Sequence, residues 1–142
     1  NVDNCNFVNN NASVEPGAIN NCGILNVTNS MFVGNNATWW AGAIHTHSNA
    51  QTRIIGSKFI KNHAGWNGGA LFTYSKLEVY NSTFDENICD TTTGGGAIGS
   101  YNFGSSYNIT IENCSFKNNK NTASGGNGGA ITALNGGYLS SF

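Results

Sequence analysis

Charge is scarce in this chain: six Lys and Arg and seven Asp and Glu among 142 residues leave a net charge of −1. That excludes the basic field which holds nucleic acid or an anionic membrane surface. Proline occurs once, and no apolar run is long enough to cross a bilayer. No signal or transit peptide is present, so the segment is expected to be soluble, with any secretion signal outside it. Cysteine is limited to Cys5, Cys22, Cys89 and Cys114. They are too few for a disulfide scaffold and lack the CxxC spacing of a zinc site, so they are expected to be small buried residues. A pair across the interior such as Cys5 with Cys22 stays open. Strong helix formers are displaced by 19 Gly and 25 Asn, which are poor in helices and tolerated at positive φ. Hydrophobic residues still make up 39% of the chain, and their regular placement opposes disorder.

What is there is a repeat. Phe-x-x-Asn occurs at Phe7/Asn10, Phe32/Asn35, Phe59/Asn62, Phe84/Asn87 and Phe116/Asn119, each copy followed by Gly-Ala-Ile or Gly-Ala-Leu. The phenylalanines are 25, 27, 25 and 32 residues apart, a period at which each unit needs neighbours to cover its apolar side. Five residues before Phe stand Val2, Val27, Ile54, Val79 and Ile111, all β-branched, and the alternating positions before them read as a strand with one face inward. Three before Phe stand Asn4, Asn29, Gly56, Asn81 and Asn113, types that accept a left-handed backbone, so a corner belongs there. A second corner is placed at the Phe-x-x-Asn asparagines, whose side chains stacked one rung apart suit a hydrogen-bonded ladder. The Gly-Ala-Ile segment reads as the third strand.

These slots predict an all-β fold, a right-handed single-stranded parallel β-helix of about five turns with three short strands per turn. Residues 1–142 form one domain, with repeats at about 1–24, 25–49, 50–74, 75–106 and 107–136 and the start of a sixth turn at 137–142. Counting eight residues from Ile131 places Leu139 in the slot of Val2 at the other end. Both are therefore candidates for end-to-end stacking, without a polar capping turn between copies.

The alternation of FIKN with GGAL, FDEN with GGAI and FKNN with GGAI resembles the repeats of the chlamydial polymorphic outer membrane proteins and of Asn-rich adhesin-like proteins of methanogenic archaea. The resemblance spans essentially the whole chain, with departures at AGAI, PGAI and Asn121. It implies a β-helix on a cell surface, used for adhesion or as an extracellular fibre, and transfers no catalytic residue or cofactor.

Chemistry is sparse. Among the acids only Asp85, Glu86 and Asp90 approach one another in sequence, and stacking beside Lys117 and Lys61 explains the first two as charge pairs, with a weak calcium site as the alternative. His45 and His47 project on one side of a strand, about 7 Å apart by strand rise. They are weak metal candidates, since no carboxylate or Cys lies in matching slots nearby. No nucleophile, His and acid set assembles from slot positions. Trp39, Trp40 and Trp66 lie in variable loops, while His45, His47, Phe72, Tyr74 and Tyr101 take the outward parity of the third strand, an aromatic face suited to protein or glycan contact. The alternative is that the tryptophans merely cover the corner. Sequons stand at Asn11, Asn26, Asn36, Asn81, Asn108 and Asn113, of which Asn36 and Asn108 suit glycosylation best.

The sequence thus points to a non-catalytic extracellular structural or adhesive β-helix, either a fibre subunit stacking on itself or a segment of a stalk contacting neighbouring cell surfaces. The alternative is a carbohydrate-binding or polysaccharide-degrading β-helix using the aromatic face. No nucleic-acid partner and no membrane insertion are expected.

Overall fold

A computed structural model describes residues 1–101, 107–134 and 138–140. The described chain has no helix and winds into a parallel β-helix of four sheets. The second coil shows the unit: Ile24–Thr28, Met31–Val33, Asn36–Ala37 and Ile44–Thr46. Each strand pairs in parallel with its equivalents on the coils before and after. The first sheet has six strands and the other three have five each. The stack therefore advances four steps in three sheets and five only in the first, slightly fewer turns than expected.

Each coil has four strands rather than the three expected, since a two-residue strand follows the second corner, and that corner lies one residue earlier than the asparagines suggested. The left-handed backbone there belongs to Asn9, Gly34, Lys61, Glu86 and Asn118, two residues after each Phe, with φ between 53° and 62°. The next residue, the repeat Asn, turns inward, and the chain continues as a separate two-residue strand. The first corner is where the sequence put it, with Asn4, Asn29, Gly56, Asn81 and Asn113 at φ of 47° to 60°.

Two polar ladders hold the corners. At the first, the backbone N–H groups of Cys5, Ser30 and Ser57 donate to the hydroxyls of Ser30, Ser57 and Ser82 on the next coil at 3.1–3.2 Å. Each of these serines donates in turn to a carbonyl two residues upstream. At the second corner the asparagines bond Asn10 to Asn35, Asn62, Asn87 and Asn119 in unbroken succession, Nδ2 to Oδ1 at 2.8–2.9 Å. Buried polar groups at sharp bends are thereby satisfied without water.

Between the corners runs the phenylalanine column. Phe7, Phe32, Phe59, Phe84 and Phe116 stack with ring centroids 4.7–4.9 Å apart and planes within 5°, the spacing of the strands that carry them. Phe32, Phe59 and Phe84 are fully buried. Aliphatic columns of Val27, Ile54 and Val79 and of Ile44, Leu71 and Ile98 close the core around them. Where Ala37, Ala64 and Cys89 fill a small slot, the fifth repeat has Asn121, whose Nδ2 donates to Thr91 O and Gly94 O. The irregular residue thus satisfies two loop carbonyls.

Leu139 does not share a slot with Val2. Val2 pairs with Val27, whereas Leu139 pairs with Ile109, in the column of Leu25, Thr52 and Leu77. The reason is loop length. Six residues separate Ile19 from Leu25 and Leu71 from Leu77, but eight separate Ile131 from Leu139, which moves Leu139 two positions out of the expected register.

Candidate functional site

The outer side of the fourth sheet carries the most distinctive chemistry. Register sets His45 against Phe72, and strand alternation turns both outward. Yet His45 is 1% exposed and Phe72 2%, which corrects the expectation of an open aromatic face. The cover is Trp40, whose loop folds back so that its indole stacks on His45 at 5.4 Å and on Phe72 at 5.6 Å and meets Tyr74 edge-on at 5.8 Å. Trp40 therefore acts as the lid that the sequence left as an alternative.

Trp39 and Trp66 are not drawn in. Their rings lie 5.1 Å apart on successive coils, and they remain 45% and 48% exposed. Beside them Trp40, Trp66, Asn67, Phe72, Tyr74, Thr93 and Tyr101 line an open groove of about 310 Å³. Of the eight candidate contact residues, Trp40, Phe72, Tyr74 and Tyr101 line the groove, Trp39 and Trp66 form the exposed rim, and His45 lies buried beneath Trp40.

The histidine pair differs from the expectation in two ways. The rings of His45 and His47 are 4.2 Å apart rather than about 7 Å, because side chains of one parity lean together over the sheet. A carboxylate is also present: Glu15, in the loop of the first coil, brings Oε2 to 3.7 Å from His45 Nδ1 and 3.9 Å from His47 Nε2. Both ring nitrogens of His45 and Nε2 of His47 are buried without a hydrogen-bond partner. Leaving such a nitrogen unpaired costs on the order of 1–3 kcal/mol. Burial, reinforced by the neighbouring His47, lowers the pKa of His45 to about 3, so at neutral pH its ring is uncharged and offers a lone pair. Glu15 stands immediately before Pro16 as Trp40 stands before Ala41. Counting back from the Gly-Ala-Ile segment therefore puts Glu15 in the slot next to Trp40, and that count was the available signal.

A second polar row, also missed, lies on the third sheet. His63 Nε2 is 2.7 Å from Asp90 Oδ2, and its Nδ1 is 2.6 Å from Asn36 Oδ1. Asn36 Nδ2 donates to Asn11 Oδ1, and the Thr122 hydroxyl donates to Asp90. Asp90 sits two residues beyond the position facing His63, the diagonal reach that long side chains cover. The acid and imidazole are paired as in a catalytic dyad, but the other nitrogen faces a carboxamide, which is not a nucleophile.

The remaining candidates sort by position. Lys61 and Glu86 pair at 3.7 Å as expected, while Asp85, in register with Lys117, accepts a hydrogen bond from Asn118. Among the described residues the only group of His, Cys, Asp and Glu close enough to share a metal is Glu15, His45 and His47, so Asp85, Glu86 and Asp90 do not form a calcium cluster. All four cysteines are free: Cys89 is buried, Cys114 half-buried, and Cys5 and Cys22 exposed, contrary to the expectation of uniformly buried thiols. Cys5 occupies the slot of Ser30 on the first described coil, and Cys22 lies in a loop. Of the sequons, Asn11, Asn26, Asn81, Asn108 and Asn113 are exposed, with Asn81 and Asn113 at left-handed corners. Asn36 is half-buried and bonded on both sides, which disfavours it as an acceptor.

No helix among the described residues is long and apolar enough to cross a membrane. Compared with protein-family models, curated proteins and solved structures, the chain matches none.

Proposed function

We propose that this chain is part of a non-catalytic, extracellular adhesive β-helix, a rigid stack of coils that presents a narrow aromatic rim to another molecule. The observation that carries the reading is the exposed pair Trp39 and Trp66 on successive coils, mounted on a core whose Phe and Asn columns run without interruption. Large aromatic rings held rigidly at a surface contribute contact area at small entropic cost. Lateral contact between copies, or with a protein on a neighbouring surface, is the reading this rim supports best.

A second reading is favoured by the groove beside the rim. Asn67 and Thr93 add polar groups to aromatic walls there, the combination that orients a sugar ring.

Sedimentation velocity at rising concentration tests the first reading. Assembly that disappears in the Trp39→Ala/Trp66→Ala variant supports lateral contact. Glycan-array binding lost in Trp66→Ala, with no self-association, would replace it with the second reading, and turnover of a polysaccharide would overturn the non-catalytic assignment.

A further inference from the structure

We propose that Glu15, His45 and His47 form a zinc-binding site that clamps the loop of the first coil onto the strand of the second. One ligand atom from each residue lies within 4.8 Å of the other two. Glu15 Oε2 is 3.7 Å from His45 Nδ1 and 3.9 Å from His47 Nε2. A zinc ion with bonds of about 2.0–2.2 Å in tetrahedral geometry sets its ligand atoms roughly 3.3 Å apart. The two Glu15 distances exceed this by about half an ångström and the separation of the two imidazole nitrogens, within 4.8 Å, by up to about 1.5 Å, so closing the site takes movement of the partly exposed Glu15 and His47 side chains toward His45.

Two features distinguish this cluster from an incidental contact. The imidazole nitrogens of His45, and Nε2 of His47, are buried without hydrogen-bond partners, and His45 is 1% exposed. An unpaired imidazole nitrogen that carries a lone pair is a ready ligand for a cation, and buried groups left without a partner call for an explanation of this kind. The cluster is also fixed from outside. Trp40 stacks on His45 within 15° of parallel, holding the ring plane, and His47 N–H donates to Asn21 O on the first coil at 2.9 Å, tying the two ligand-bearing coils together.

Two imidazoles and one carboxylate suit zinc over calcium or magnesium, which take all-oxygen sets. The fourth position falls to water. Cys22 follows Asn21 and so comes opposite His47 in the extended register, but its sulfur is not among the three ligand atoms that lie within reach of one another. Three protein ligands and one open position leave the ion able to accept a donor from outside.

The test is zinc titration of the full chain, stripped with a chelator, against a competing chromophoric chelator. One zinc per chain is expected, with affinity reduced at least tenfold in Glu15→Gln and in His47→Ala, about the loss that weakened metal sites show. Glu112→Gln, remote from the cluster, should leave it unchanged. Cobalt(II) in place of zinc should give the intense visible bands of a tetrahedral nitrogen and oxygen site, and these should vanish in both variants. Glu15 and His47 are partly exposed, so their variants should keep the wild-type circular dichroism. Zinc binding absent from the wild-type chain, or unaltered by both substitutions in folded protein, overturns the proposal. Neither result bears on the tryptophan rim.

Discussion

Asn35 donates to Asn62 Oδ1 twice, from its side-chain Nδ2 at 2.9 Å and from its backbone N–H at 3.1 Å. Asn62 repeats this toward Asn87 and sends a further hydrogen bond back to Phe32 O at 3.0 Å. One fully buried carboxamide thus satisfies groups on the coil before and bonds the coil after. Asn62→Ala would remove the acceptor of Asn35 and the donor of Phe32 O, where no water can substitute. We expect a loss of about 3–5 kcal/mol, as orphaned buried groups cost 1–3 kcal/mol each. Asn10→Ala, at an exposed position in the same ladder, should cost about 1 kcal/mol. Urea midpoints with an unchanged m-value would measure both, and equal losses at the two positions would count against a ladder that draws its strength from burial.

Much of this architecture could be read from the chain because its signals repeat. Phe and Asn recur with unchanged chemistry in five slots, and each slot has one environment, so the columns, the first corner and the parallel stacking follow from counting. The second corner did not, because its left-handed position is filled by Lys61 and Glu86 as well as by Asn9, Gly34 and Asn118, so the slot keeps no constant residue type. Lys61 and Glu86 adopt this backbone against their own tendency, which costs about 1–2 kcal/mol each. Tertiary pairing outweighs that cost. The site was only half legible for a related reason. Strand parity predicted which way His45 and Phe72 face, but not that Trp40 would cover them or that Glu15 would reach them, since both come from loops whose length varies from coil to coil.

The glycines of the first four Gly-Ala-Ile or Gly-Ala-Leu segments, Gly17, Gly42, Gly69 and Gly96, are required by close approach, whereas Gly129 in the fifth is not. A Cβ on Gly69 would lie 2.0 Å from Gly96 O and 2.6 Å from Ile88 O, and both are backbone atoms held in neighbouring ladders. Gly69→Ala is therefore expected to cost more than about 4 kcal/mol, in the range reserved for steric failure of a core. Gly23 has no atom within 4 Å of such a Cβ and does not have a positive φ, so Gly23→Ala should change stability by less than about 0.5 kcal/mol. Limited proteolysis alongside denaturant unfolding would separate the two variants, and a folded, protease-resistant Gly69→Ala protein would show that the coils have room to part.

His45 should make the fold acid-sensitive in a window set by its own titration. Its pKa falls from the ordinary 6.5 to about 3 in the folded state, through burial first and the nearby His47 second. The unfolded chain therefore takes up a proton below pH 6.5 that the folded chain refuses until about pH 3. The stabilisation is complete above pH 6.5 and is lost progressively as pH falls, at up to about 1.4 kcal/mol per pH unit. Between pH 7.5 and 4.5 this one group should lower stability by about 2–3 kcal/mol. Asp90 acts in a different window. Burial pushes its carboxyl up, but hydrogen bonds from Thr122 and His63 more than offset this and hold its pKa below the usual 3.8, so its contribution fades only in stronger acid. His45→Phe keeps an aromatic ring in the column that already accepts Phe72 on the next coil and has no proton to gain. With a chelator present throughout, the wild-type urea midpoint should drop across that interval and the midpoint of His45→Phe should stay nearly level. Parallel pH profiles for the two proteins would mean that the ring of His45 is reached by water and protonates in place.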